Sequence, residues 1–381
     1  MNIILHIGQT KTASTTLQRH LFNERATLAA QGVRYCQSLG RAKARLATEI
    51  FRNHLPADER QQVLDAFRRE LDGPWNTLII SNENLFRMSD DAIGRFKDVC
   101  EDRAGQVRVH AYVRRPAEHF PSYYQQKIKG LSLETADDFL SKVIEQGEYS
   151  QFEIFERWRQ GFGDDSVKAR LFDRRILAAS PTEDFLAWIG HSDLKIPPAE
   201  IQVANPSLDP VAAEAVRYLA RLYMERPDAV EDREIFAFRD AMLAASDGSK
   251  LQVSARQAER LDQAFRPDME RFAECYLSPR EAELWLAPAY PGASVFPSLG
   301  DILRRTAQVL GGSDPDLIDP ALMEDDQLDD NDRFHRFAEF ANPALESAGA
   351  GFASHYPINQ KKAEKLPKRR KRFASSIRRS R

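Results

Sequence analysis

Cysteine is scarce in this chain. Cys36, Cys100 and Cys275 are the only three in 381 residues, and their odd number and wide scatter give neither a disulfide framework nor metal-ligand spacing. That excludes a disulfide-stapled scaffold, points to a reducing compartment, and leaves the thiols as small buried groups. Long apolar runs are missing as well: no stretch approaches the roughly 18 residues that cross a bilayer. The N-terminus has no basic segment ahead of a long apolar one, so no secretion signal is expected, and residues 3–7 are assigned to the fold. There is no internal repeat. A cytoplasmic protein without a transmembrane segment is the expectation.

What is present is the balance of a globular protein, 42% hydrophobic and 29% charged residues, with length for one large domain or two modest ones. The net charge of −3 hides an asymmetry, because residues 361–381 hold eleven Lys or Arg against Glu364. That tail is +10 and the preceding 360 residues are −13. The tail reads as a disordered end, suited to peripheral contact with an acidic membrane surface, an anionic polysaccharide or nucleic acid. Only Phe373 interleaves with its charges, so specific nucleic-acid recognition is not expected. Residues 289–360, with an acidic cluster at 324–332, read as a partly ordered extension, and residues 1–288 as the main domain.

Short apolar runs alternate with helical patterns. Strands are expected at 3–8, 76–81, 107–113 and 166–172. Helices are expected from the loop after the first strand to Gln31, over 41–54, 57–72 and 89–104, from Pro116, and near 182–190, 209–226 and 254–275. This order predicts an α/β fold, P-loop-like, with three layers, a central parallel sheet flanked by helices, and a helical C-terminal extension. Ligands of such sheets bind beyond the carboxyl ends of the strands.

Chemistry concentrates at those ends. After the first strand comes Gly8-Gln9-Thr10-Lys11-Thr12-Ala13-Ser14-Thr15-Thr16-Leu17, the strand–loop–helix form of a phosphate-binding loop. Backbone N–H groups and the positive helix end face the anion. Lys11 supplies a full charge, and the hydroxyls of Thr12, Ser14, Thr15 and Thr16 add donors. An ordinary Thr-rich helix start is the plain alternative. A Walker A loop would place Lys at position 14, where Ser stands, so a nucleoside triphosphatase is poorly supported. The loop must tolerate a Cβ at Ala13, which costs stability if that position needs a positive φ. After the third expected strand, Arg114 and Ser122, eight residues apart, can converge on a second small anion through a guanidinium fork and a hydroxyl. The plain alternative is that Arg114-Arg115 is a solvated basic pair and Tyr123-Tyr124 simply packs.

Lys11-Thr12-Ala13-Ser14-Thr15-Thr16-Leu17 resembles the 5′-phosphosulfate loop of sulfotransferases that use 3′-phosphoadenosine 5′-phosphosulfate, K-[ST]-G-[ST]-[ST]-x-[LW], with Ala13 in place of the usual Gly. Arg114-Arg115-Pro116 followed by Ser122 resembles that family's 3′-phosphate motif, R-x-P-x-x-x-x-x-S. The similarity covers roughly residues 2–225. It continues weakly through Phe155-Glu156-Arg157-Trp158, residues 167–172, Phe185-Leu186-Ala187-Trp188-Ile189-Gly190 and Asn205-Pro206-Ser207-Leu208.

The resemblance implies that residues 1–288 are a sulfotransferase domain acting without a metal. It implies cofactor contacts from Lys11, Thr12, Ala13, Ser14, Thr15, Thr16, Arg114 and Ser122. Lys11 would stabilise charge on the bridging oxygen. Glu83, just past the second expected strand, would be the general base, with His6 and His119 as further candidates and a capping carboxylate as its plain alternative. The acceptor would be a glycan or small molecule, since the carbohydrate-modifying branch also reads Lys-Thr-x-[ST]-Thr. Its pocket would draw on 41–72, 131–150 and 226–253. The rival classes are a P-loop nucleotide kinase, for which the Walker lysine and a metal-binding Asp at a strand end are missing, and a non-catalytic nucleotide-binding scaffold.

Overall fold

The computed structural model describes residues 1–354 apart from 102, 178–179, 199–206, 227–229, 231, 289–296, 312–317, 320–321 and 323–327. The basic tail at 361–381 and the Asn205-Pro206 pair therefore lie outside the described residues. Two compact units divide the chain. The first holds the described residues of 1–119, 143–204 and 258–290, and the second those of 120–142, 205–257 and 291–354.

The first unit is built on five parallel strands, β1 (Asn2–His6), β2 (Val33–Tyr35), β3 (Thr77–Ser81), β4 (Gln106–Val113) and β5 (Val167–Leu171), in the order β2-β3-β1-β4-β5. Runs such as Ile3-Ile4-Leu5 and Leu78-Ile79-Ile80 are buried, as strands covered on both faces must be. On one face, Ile4, Ile79 and Tyr112 meet Leu17 and Leu21 of α1 (Ser14–Asn23), Leu28 of α2 (Arg25–Ala29), and Phe185, Leu186 and Ile189 of a helix at Pro181–Trp188. Residues one step out of phase point the other way. That second layer contains α3 (Arg45–Phe51), α4 (Ala57–Leu71), α5 (Asp90–Glu101) and a helix at Gln151–Phe162. There Phe51 and Phe96 meet edge to face at 4.5 Å.

β1 sits between β3 and β4, and His6 is in register with Ser81 on one side and His110 on the other. The chain turns to one side of β1 for β2 and β3, then to the other for β4. The end of β1 is therefore the switch point of the sheet.

The described part of the second unit is helical. It carries most of α6 (Pro116–Lys129) and part of α7 (Ala136–Glu145). After α8 (Gln151–Phe162) and α9 (Pro181–Trp188) of the first unit, it continues with α10 (Pro210–Glu225) and α11 (Asp232–Ala244). Beyond α12 (Ala255–Tyr276) and α13 (Pro279–Leu286) come α14 (Leu299–Leu310) and α15 (Asp330–Ser354). α10, α11, α14 and α15 pack together. Buried Arg217 joins Glu214 and Asp330, and Asp209 caps α10 while accepting from Arg305 at 2.9 Å.

Several elements differ from the sequence expectation. The helix expected to reach Gln31 breaks at Glu24 into α1 and α2. β2 is a three-residue strand with too little pattern to stand out. α7 and α11 occupy stretches read only as lids for an acceptor.

Candidate functional site

The loop from Gly8 to Ala13 leaves β1 at the switch point and is pinned by Gln9. The Gln9 N–H donates to Tyr112 O at 3.1 Å, and its Oε1 accepts the Arg114 N–H at 2.8 Å. Gly8 has no room for a side chain: a Cβ there would lie 2.8 Å from His6 Nε2 and 3.3 Å from Ser14 Oγ. Lys11 and Ala13 are left-handed, with φ of 66° and 56°. Ala13 is the residue before α1, and its carbonyl takes the N–H groups of Thr16 and Leu17. The N–H groups of Thr12, Ala13, Ser14 and Thr15 meet no carbonyl among the described residues, as expected of the first N–H groups of a helix.

The loop hydroxyls divide by burial. Thr12 and Ser14 are buried, Thr15 is half-buried and Thr16 is exposed. Thr12 donates inward, to Gln9 O at 2.6 Å, so it shapes the loop. Lys11 is half-buried and makes no hydrogen bond or ion pair with the described residues. Burial, and then the Lys43 charge, pull its pKa below the ordinary lysine value. An ammonium held in this way is a stronger proton donor than one in water.

Glu83 begins a short turn directly after β3, capped by Asn82 Oδ1, which accepts the Asn84 N–H at 2.9 Å. Its Oε2 accepts from Gln18 Nε2 at 2.8 Å, and its Oε1 lies 3.4 Å from Lys43 Nζ. Burial pushes this carboxyl up, but the hydrogen bond from Gln18 and the Lys43 ammonium outweigh it, and the net shift is downward. Glu83 is thus an ionised carboxylate beside the loop.

The two histidine candidates are internal struts. His6 is fully buried, its Nδ1 lies 2.7 Å from Ser81 Oγ, and burial pulls its pKa down to about 4. His119 bridges Thr10 O (2.8 Å from Nε2) and the Tyr149 hydroxyl (2.9 Å from Nδ1). A carbonyl only accepts, so Nε2 carries the proton. Burial, Arg114 and Lys11 keep this ring neutral, with a pKa near 3. Both rings brace the site rather than face it.

Arg114 follows β4 directly. Its Nε is buried without a hydrogen-bond partner among the described residues, a state it shares with the Nε of Arg115. Arg115 is not a solvated neighbour: it is buried and bonds Glu118 and the Ala287 carbonyl. Ser122 lies on α6 and belongs to the second unit. Lys11, Glu83 and Arg114 therefore come from three adjacent strand ends. Gln9, Gln18, Ser81 and Lys43 complete the constellation without any motif to announce them, although a glutamine on the buried stripe of α1 was a usable signal. Among the described residues no group of three or more His, Cys, Asp or Glu is placed to hold a metal ion, and no helix is long and apolar enough to cross a membrane.

The second unit has a cavity of about 510 Å³ lined by Phe120, Tyr124, Pro210, Glu214, Lys250 and Leu251, among others.

Fold and site together define a three-layer α/β protein with a cationic loop at the switch point of its sheet. No family model, no curated protein and no solved structure matches the chain.

Proposed function

We propose that this protein transfers a sulfuryl group from 3′-phosphoadenosine 5′-phosphosulfate to a hydroxyl or amine of a carbohydrate or other metabolite. The observation that carries the proposal is Lys11, half-buried and without a partner among the described residues, in a loop whose N–H groups meet no carbonyl there, at the point where Glu83 and Arg114 also emerge. In this reading the N–H groups at the start of α1 hold the 5′-phosphate, and Arg114 reads the 3′-phosphate. The acceptor oxygen forms a bond to sulfur as the bond from sulfur to the bridging oxygen breaks. The electron pair of that bond stays on the 5′-phosphate oxygen, where Lys11 stabilises it. The acceptor proton passes to the Glu83 carboxylate. The products are a sulfate ester, or a sulfamate where the acceptor is an amine, and adenosine 3′,5′-bisphosphate. The same proposal sets the reaction in the cytoplasm, with the basic tail meeting an anionic surface.

Calorimetric titration with adenosine 3′,5′-bisphosphate, with ATP–Mg²⁺ alongside, tests it. Tight bisphosphate and weak ATP binding are expected. Arg114→Ala should weaken the bisphosphate roughly 10- to 100-fold, the scale of a charge-assisted hydrogen bond, and leave adenosine 5′-phosphate binding unchanged. Preference for ATP–Mg²⁺ would move the protein to the phosphotransferases, bisphosphate binding without turnover of any acceptor would favour the nucleotide-binding scaffold, and failure of both ligands to bind would overturn the proposal.

A further inference from the structure

Lys43 stands on a segment clamped from both sides. The Tyr35 hydroxyl, at the end of β2, donates to Ala42 O at 2.5 Å, and Asn82 Nδ2, just past β3, donates to Ala44 O at 3.1 Å. Tyr35 and Asn82 are each 1% exposed. Upstream, the Glu70 carboxylate gathers Arg34 Nε, the Ser38 hydroxyl and the N–H groups of Gln37 and Ser38 at 2.7–3.1 Å. Between the clamps, Ala44 is held at a φ of 39°, a conformation that costs energy for any residue with a Cβ and persists only where its surroundings enforce it.

The side chain is held quite differently. The Lys43 side chain is 41% exposed, and among the described residues its ammonium makes only two polar contacts, each 3.4 Å long, to Thr15 Oγ1 on the first turn of α1 and to Glu83 Oε1. Those lengths lie beyond a good N–H···O bond. The backbone is rigid, while the ammonium hangs between the anion loop and the carboxylate. Lys43 also lies near enough to Lys11 for its charge to weaken that residue's hold on its proton. Two like charges held close together are relieved by an anion between them.

We propose that Lys43 is a second cation of the anion site and that its ion pair with Glu83 is a latch: a phosphate in the loop draws Lys43 off Glu83, freeing Oε1, the carboxylate oxygen that Gln18 does not hold, to take the acceptor proton. This rests on the sulfuryl-transfer reading. It adds an order to that reading, because the base is released only once the donor is bound.

The test is titration of the full chain with adenosine 3′,5′-bisphosphate, using wild type, Lys11→Ala, Lys43→Ala, Lys43→Arg, Glu83→Gln and the Lys43→Ala/Glu83→Gln double variant. Melting temperatures run in parallel check that each variant folds. Lys43→Ala should weaken binding about tenfold or more and Lys43→Arg should restore most of it. Glu83→Gln should tighten binding several-fold, because Lys43 loses its competing partner, and this gain should vanish in the double variant. A gain that survives without Lys43 would be simple removal of a negative charge and would overturn the latch. Wild-type binding that is lost in Lys11→Ala but unchanged in Lys43→Ala would overturn the role of Lys43 and leave the sulfuryl-transfer reading standing. No binding to wild type would overturn that reading itself, and the proposal with it.

Discussion

Ala13 occupies left-handed backbone at φ 56°, ψ 18°, immediately before α1. For a residue with a Cβ this region costs roughly 1–2 kcal/mol, whereas glycine enters it freely. The reading of Ala13 as a departure from a glycine pattern therefore has a physical consequence here. Ala13→Gly should stabilise the first unit by about 0.5–1 kcal/mol, the lower figure allowing for the greater freedom of glycine in the unfolded chain. The denaturant midpoint followed by tryptophan fluorescence checks this, and a lower midpoint would show that the Cβ packs usefully. Lys11 shares the strain at φ 66°. The burden thus falls on the two residues flanking Thr12, whose hydroxyl closes the loop onto Gln9 O. Backbone strain of this kind is tolerated at ligand sites because the surroundings over-determine it.

At the scale of elements, α5 and α8 approach so closely that a Cβ on Gly161 would lie 2.5 Å from Ile93 Cγ2. Two effects compete in Gly161→Ala. Helix propensity favours alanine by about 0.8–1 kcal/mol, while overpacking costs typically 1–3 kcal/mol. A contact this short should make the steric effect win, so the variant should lose about 1–2 kcal/mol in denaturant unfolding. Combined with Ile93→Ala, the loss should fall below the sum of the two single losses, and strict additivity would refute the contact. Legibility in the sequence followed length and locality. β1, β3 and β4, α4 and α10 stood out because their patterns are sustained. β2 did not, because three residues between Gly32 and Cys36 carry no periodicity and owe their strand to pairing with β3. The break at Glu24 was equally silent.

At the scale of the molecule, three buried histidines make the first unit sensitive to acid. Burial holds His6 near a pKa of 4; His110, affected next by the His6 charge, and His119 are held near 3. In the unfolded chain each returns to about 6.5. Below that value the unfolded state binds protons that the folded state refuses, so the stability present above pH 6.5 is lost as pH falls toward 4. Each group removes about 1.4 kcal/mol per pH unit in that window. Moving from pH 7.5 to 5.5 should therefore cost about 4 kcal/mol. All four tryptophans, Trp75, Trp158, Trp188 and Trp285, lie in the first unit, so fluorescence unfolding curves at the two pH values isolate it. A midpoint that does not move would mean that these rings titrate normally.

The sequence by itself determined the parallel α/β architecture, because apolar runs alternating with amphipathic helices have few ways to bury their faces. It also determined that Lys11, Glu83 and Arg114 stand at strand ends, because each directly follows a run whose pattern is local. Tertiary structure alone decided what those residues touch. Strand order put β1 between β3 and β4, and so brought Gln9 to Arg114, Gln18 to Glu83 and Lys43 to both Thr15 and Glu83. It turned His119 from a candidate base into a strut and Arg115 from a surface charge into a buried tie. These partners lie between 28 and 172 residues apart in the chain. Local periodicity reports which face of an element is buried, whereas a polar contact over that span exists only once the sheet has chosen its order.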